Sequence, residues 1–547
     1  MTLPTGHQRR EIAGRSIRWN AAMAADAYAQ GWWCRDTLAD ALARALDAMP
    51  DRVVVVDGQT RLDIRTLHDH AARVAAALMD RFPPGQVVSF MLPNWHEAAA
   101  IYLGITLAGM VAHPLPPALR DADLSFLLRD SESRLVFIPA RLRDFDYRAM
   151  LARVASALPK PPEVVVLRGD AGGHTPYQSL LTTVGQRSFP RLDPDAVRMI
   201  LYTSGTTGRP KGVMHSHNSI HALIRQIGRH WRVEAGDTFL VPSPISHIGG
   251  SIYAFECPLL LGTRAVLMDQ WDGDAALGLM RAEGCTHMAG ATPFLDHLVA
   301  AARRAGEVLP HLKVFICGGA AVPPALIRAA ADQFRSAMVT RVYGSTEVPV
   351  TTVGATARGD LSHAADTDGR AGIADVRLYA HDGQSAGEVG EVRARGPQML
   401  VGYHRADDED GAFDDDGYFR TGDLARRIPG GYLVITGRIK DIIIRNGENI
   451  SAKDVEDLLA GHPMVREIAI VGLPDPRTGE RACAVVVPAW APGPDVASLR
   501  AFLEARGVAR FKIPERVVVW DALPRNEVGK VLKQTIRDVL METVTPR

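Results

Sequence analysis

Tyr202-Thr203-Ser204-Gly205-Thr206-Thr207-Gly208-Arg209-Pro210-Lys211-Gly212 decides how this chain is read. The run follows an apolar segment, residues 199–202, and precedes an amphipathic stretch that begins near His217. Its three glycines free the backbone to curl. The serine and threonine hydroxyls and the exposed N–H groups can donate to phosphate oxygens, and Lys211 adds a fixed positive charge. The spacing is not that of a Walker A loop. Taken alone, the run fits either a phosphate-binding turn or an ordinary Ser/Thr/Gly-rich surface turn.

Outward from it, short apolar runs alternate with amphipathic stretches, the rhythm of parallel α/β units. Residues 53–56, 87–91, 135–138 and 164–167 read as buried strands, and 67–79 and 97–108 as helices. The pattern continues through 199–202, 313–317 and 338–342. From about Gly387 the texture changes. Residues 388–395 and 432–436 read as antiparallel strands separated by the acidic, turn-rich 407–417. Beyond Gly437 the segments are short: a helix at 452–459, strands at 468–471 and 482–487, and a helix at 499–506. A length of 547 residues calls for two or more domains. The expected fold is α/β, with a large multi-subdomain N-terminal domain of parallel-rich sheets packed by helices, residues 1–436. A hinge at 437–441 and a small α+β C-terminal domain at 442–547 complete it.

Lysine plus arginine equals aspartate plus glutamate, 62 against 62. No basic excess points to nucleic acid or an anionic membrane as a bulk partner. The five cysteines are dispersed, odd in number and form no CxxC pair. That pattern suits neither a disulfide framework nor a zinc site, and it fits the cytoplasm. The first 20 residues lack the apolar centre of a secretory signal, and no apolar run approaches the ~18 residues a membrane span needs.

Four further motifs follow in order: Cys317-Gly318-Gly319-Ala320, Tyr343-Gly344-Ser345-Thr346-Glu347, Tyr418-Phe419-Arg420-Thr421-Gly422-Asp423 and Gly437-Arg438-Ile439-Lys440-Asp441. Near the end stands Pro524-Arg525-Asn526-Glu527-Val528-Gly529-Lys530-Val531. Together with the first run, these resemble the adenylate-forming superfamily of acyl-CoA synthetases, peptide-synthetase adenylation domains and firefly-type luciferases. The resemblance covers most of the chain from about Asp36. It implies that Thr203 to Gly208 and Lys211 hold the phosphates of ATP, and that Gly318, Gly319 and Ala320 lie along the adenine. Tyr343 would stack on that ring, with Gly344 and Ser345 beside it. Thr346 would meet the α-phosphate, and Glu347 with Thr203 would hold magnesium. Asp423 and Arg438 would take the ribose, Lys440 would be the pivot of a mobile C-terminal domain, and Lys530 would be the adenylation lysine. Two departures, at residues 62–67 and at Pro116-Pro117, fall on elements that are structural in the family.

The resemblance further implies a reaction. A carboxylate attacks the α-phosphorus of ATP, pyrophosphate leaves, and the acyl-AMP is passed to coenzyme A. Residues 444–450, with Gly447 and Glu448, resemble the loop lining the pantetheine channel of CoA ligases. His247, Ile248 and Gly249, with Thr292, Pro293 and Gly318, resemble walls of the acyl pocket, and His247 is counted among the catalytic candidates. Neither wall carries an aspartate to pair an amino acid's ammonium. Trp32-Trp33, Pro93-Asn94-Trp95-His96-Glu97 and Gln270-Trp271-Asp272 resemble the subgroup of cyclohexanecarboxylate- and medium-chain acyl-CoA ligases. A carrier protein is the alternative acceptor, and a silent nucleotide-binding scaffold the alternative of another class. The sequence leaves monomer and homodimer open.

Overall fold

Val54, Val55 and Val56 are buried in the strand Val53–Asp57, one of seven in the second of two large sheets. A computed structural model describes residues 6–182, 188–203, 209–320, 322–357, 359–380, 387–446, 448–526 and 529–542. The first large sheet has eight strands. Its parallel body runs from Thr175–Pro176 through Glu163–Leu167, Leu135–Pro139, Val87–Phe90 and Val111–Pro114 to Val197–Thr203. Two antiparallel strands, Lys211–Ser216 and Gly402–Tyr403, extend that edge. Lys211–Ser216 therefore returns as a hairpin beside Val197–Thr203, and the helix His217–His230 begins only after it. The sequence reading gave an amphipathic stretch from near His217, where this helix begins, and missed the intervening strand.

In the second sheet, Met338–Arg341, Val314–Cys317, His287–Gly290, Thr238–Val241, Arg264–Leu267 and Val53–Asp57 are parallel neighbours, and Thr60–Asp63 folds back on the last. Helices fill the space between the sheets. Ile64–Met79 and His96–Leu107 approach so closely that a Cβ on Gly104 would stand 2.7 Å from the Val74 side chain. His96–Leu107 is buried on nearly every face, as expected of a helix lodged inside the core. At its centre the Tyr102 hydroxyl donates to Glu256 at 2.5 Å, and Arg198 meets the same carboxylate at 2.8 Å.

Four antiparallel strands follow: Asp375–Tyr379, Val389–Arg395, Phe419–Ile428 and Tyr432–Arg438. The last sheet joins Ile442–Arg445, Glu448–Ser451, Val465–Asp475, Gly479–Pro488 and Arg516–Val519, with the helices Ala452–Leu459 and Val496–Glu504 over its core. This is the expected α/β architecture with a smaller α+β C-terminal part. Among the described residues, no helix is long and apolar enough to cross a membrane.

Candidate active site

Parallel strands present their C-terminal ends along one sheet edge, where open α/β folds bind ligands. Thr238–Val241, His287–Gly290, Val314–Cys317 and Met338–Arg341 are such neighbours. Just beyond their ends stand His247, Thr292, Gly318 and Tyr343 in turn. One edge thus gathers residues that lie far apart in the sequence. The Gly318 N–H donates to the Gly290 carbonyl at 3.1 Å. A Cβ there would come within 2.9 Å of the Val342 carbonyl oxygen, so the position requires glycine. Gly319 is exposed and Ala320 half-buried beside it. In the next motif the Thr346 carbonyl bonds to His215 at 2.7 Å, and Ser345 Oγ accepts from the Val348 N–H at 3.2 Å, closing the turn that holds Gly344.

At the end of the site beside the small domain, Asp423 is 4% exposed. It lies opposite Arg438 across the hairpin of Phe419–Ile428 and Tyr432–Arg438. Arg438 Nε reaches Asp423 Oδ1 at 2.6 Å, and the Tyr343 hydroxyl donates to Oδ2 at 2.7 Å. Burial and the Asp423 charge push the Tyr343 phenol well above its ordinary range. Lys530 enters this corner from the C-terminal part, with Gly529 against Pro293 such that a Cβ would lie 3.5 Å from its ring. Lys530 is an exposed residue. Desolvation of its ammonium and the nearby Arg438 and Lys440 charges bring its pKa down to about 8, with Asp423 and Asp441 opposing the shift.

At the phosphate end, Thr203 closes its strand. Its hydroxyl lies 3.4 Å from Glu347 Oε1, and the Tyr403 hydroxyl donates to the same oxygen at 3.1 Å. Lys211 Nζ donates to the Asp408 carbonyl at 3.0 Å and faces the Tyr403 ring at 5.3 Å. Ser204, Gly205, Thr206, Thr207 and Gly208 lie outside the described residues. One carboxylate among hydroxyl oxygens suits a hard cation such as magnesium, which takes one or two carboxylates plus substrate phosphates.

His247 and Ile248 are half-buried and Gly249 is exposed. Burial lowers the His247 pKa. The segment leading to it is held by Asn94, whose buried amide donates to the carbonyls of Val241, Ser243 and Met268 at 2.9–3.1 Å. Asn94 Oδ1 also accepts the Ile245 N–H at 3.0 Å. Beside it, Asp57, His96 and Glu97 cluster at spacing that could hold a metal, but the Arg168 guanidinium binds both carboxylates at 2.7–3.0 Å. That group is an ion-pair network beside the site.

Lys440 is exposed at the junction. The Ser451 hydroxyl donates to the Thr436 carbonyl at 2.7 Å, and Arg537 pairs with Asp441 at 3.2 Å across it. Glu448 is exposed at the start of its strand, and Gly447 lies outside the described residues. Tyr403 and Asn94 complete the site without having been assigned a role from the sequence. Tyr403 lies outside the motifs singled out and Asn94 in one read only for a subgroup resemblance, and only the fold brings them near Glu347 and His247.

A profile of AMP-binding enzymes matches residues 42–404, and one of the AMP-binding enzyme C-terminal domain matches residues 454–530. The chain belongs to the AMP-binding enzyme family. This AMP-binding enzyme is 34% identical over 535 residues to the medium-chain fatty-acid–CoA ligase of Escherichia coli K12, covering 94% of this chain and 92% of the relative. It is 33% identical to a salicylyl-CoA synthase / salicylate adenylyltransferase of a Streptomyces species, covering 94% of this chain and 96% of the relative. In structure it resembles ATP-bound MatB from Rhodopseudomonas palustris, with a TM-score of 0.83 and 28% identity, over 93% of this chain and 100% of that one.

Proposed function

We propose that the groups gathered above serve one two-step reaction. The chain is an ATP-dependent acid–thiol ligase: it activates a carboxylic acid as acyl-AMP with release of pyrophosphate, then transfers the acyl group to coenzyme A. The roles of individual residues are our reading of the geometry. The observation that carries them is the meeting of Lys530, Asp423, Arg438 and Tyr343 in one corner, from segments about a hundred residues apart.

Such a reaction needs positioning and charge stabilisation more than a protein nucleophile. Asp423 and Arg438 orient the ribose. Gly318 leaves room for the flat adenine, with Tyr343 on its other side. Thr346 and Lys211 bind phosphate oxygens. The carboxylate oxygen then attacks the α-phosphorus in line, and the bond to the β-phosphate bridging oxygen breaks. Lys530 stabilises the charge that develops between acid and nucleotide. Glu347 and Thr203 would hold magnesium, which supplies charge neutralisation to the polyphosphate. We place the domain junction at residues 437–441, in the gap between the two family matches. Turning about Lys440 would withdraw Lys530 and bring Gly447 and Glu448 to the thiol. The dispersed cysteines favour the cytoplasm.

The acid we favour is an uncharged medium-chain or cyclic monocarboxylic acid. Neither residues 243–250 nor residues 290–294 carry an aspartate, so an amino acid's ammonium would enter unpaired. ATP–pyrophosphate exchange with a panel of acids, repeated with coenzyme A and analysed for product, tests this. Octanoate, cyclohexanecarboxylate or benzoate should support exchange and yield acyl-CoA. Exchange with amino acids alone refutes the substrate class, and acyl-AMP that never becomes acyl-CoA points instead to a carrier protein.

A further inference from the structure

We infer that residues 402–409 form a positioning strap that sets both flanks of the phosphate loop against Glu347. The segment has no catalytic motif, yet it touches Glu347 and both described flanks of the loop. It begins by extending the sheet: Val213 pairs with Tyr403 and Met214 with Gly402, and the His404 N–H donates to the Gly212 carbonyl at 2.7 Å. The Tyr403 hydroxyl donates to Glu347 Oε1 at 3.1 Å. Two residues upstream of the segment, the Leu400 N–H donates to the Glu347 carbonyl at 2.7 Å. Side chain and backbone of Glu347 are thus fixed by one stretch of chain.

The same stretch reaches both sides of the loop through two buried carboxylates. On the entry side the Tyr202 hydroxyl donates to Asp130 Oδ2 at 2.6 Å. Asp130 is 5% exposed, and it is held by an ion pair from Arg405 and by His404 Nε2, 2.8 Å from its carbonyl. On the exit side Arg209 Nη2 pairs with Asp408 Oδ1 at 2.6 Å, and Lys211 donates to the Asp408 carbonyl. Asp408 is 4% exposed. Burial raises its pKa, while the Arg209 and Lys211 charges oppose the rise. Glu409 anchors the far end, accepting the Tyr403 N–H at 3.1 Å and pairing with Arg9 at 2.9 Å and Arg18 at 3.2 Å. Four ionic contacts spent on a turn that only joined two sheets would bring no return in packing. They make sense where the spacing between loop and carboxylate must be held against a polyanion.

This inference rests on the proposed adenylation reaction, with residues 402–409 as positioning residues that touch no reacting atom. The test uses the full-length enzyme and the variants Tyr403→Phe and Asp408→Asn. Each is assayed for acid-dependent ATP–pyrophosphate exchange against magnesium and against ATP, and for acyl-CoA formation from supplied acyl-AMP. Partners that orient a metal-binding carboxylate are worth ~10–100-fold. Tyr403→Phe keeps the ring and should raise the magnesium needed for half-maximal exchange about tenfold at the low end of that range. Asp408→Asn should raise KM for ATP with KM for the acid unchanged. Both should spare the thioester step and the thermal unfolding midpoint of Tyr403→Phe. Unchanged magnesium and ATP dependence in both variants overturns the inference, as does equal loss in both half-reactions. A wild-type enzyme without exchange on any acid removes the adenylation reading itself, and the strap with it.

Discussion

Lys530 offers the most direct quantitative test, because its pKa of about 8 lies inside the range where the enzyme can be assayed. In the proposed role, adenylation needs the ammonium form. With that pKa, about nine-tenths of the free enzyme is protonated at pH 7 and about one-tenth at pH 9. The sign follows: the active form predominates below pH 8 and is lost as pH rises through it. In exchange assays kcat/KM for ATP reports the free enzyme, so it should fall close to tenfold per pH unit above about 8. Bound triphosphate favours the charged lysine, so the limb in kcat should move to higher pH. Lys440 also titrates below its ordinary value and lies close by, so the variant Lys530→Arg is the control. A guanidinium stays charged throughout the range. The substitution should lower the plateau and erase the alkaline limb. A flat wild-type profile between pH 7 and 9.5 would refute the assignment, and so would a limb that survives in Lys530→Arg.

Removing the carboxylate in Asp423→Ala takes away charge-assisted hydrogen bonds worth ~1.5–3 kcal/mol each, so KM for ATP should rise at least about tenfold in exchange assays. Gly318→Ala forces a methyl group to 2.9 Å from the Val342 carbonyl, and both exchange and nucleotide binding by calorimetry should drop sharply. Asn94→Ala strands three buried carbonyls and an N–H, at ~1–3 kcal/mol per unsatisfied group; its unfolding midpoint should fall, and kcat/KM for the acid should fall more than that for ATP. Gly104→Val overfills the contact with Val74 and should destabilise the fold by ~1–3 kcal/mol in denaturant titration without altering KM for ATP.

The strands read most directly from continuous apolar runs were inner strands of the large sheets. Residues 53–56, 87–91 and 135–138 are continuous apolar runs, and all three are inner strands of the large sheets. Phe419–Ile428 escaped because Arg420, Gly422, Asp423, Arg426 and Arg427 break any apolar pattern, although it is the central partner of two neighbours. Its charges belong to the corner shared with Tyr343 and Arg438, and to the surface. The motifs singled out Lys530, Glu347 and Asp423 as candidates, but nothing local told that Tyr403 would face Glu347 or Asn94 would hold the way to His247. Those contacts span 56 and about 150 residues and exist only once the sheets have formed.

The Arg198–Glu256 pair, both side chains 1% exposed, bears on how this sequence can drift. Losing either partner alone strands the other's charge in the core, at ~3–5 kcal/mol, whereas replacing both by matched apolar residues can be neutral. The two positions are therefore locked together across 58 residues. A lineage leaves the pair only by a double change or through a crippled intermediate, so variation at either codon should be met by variation at the other.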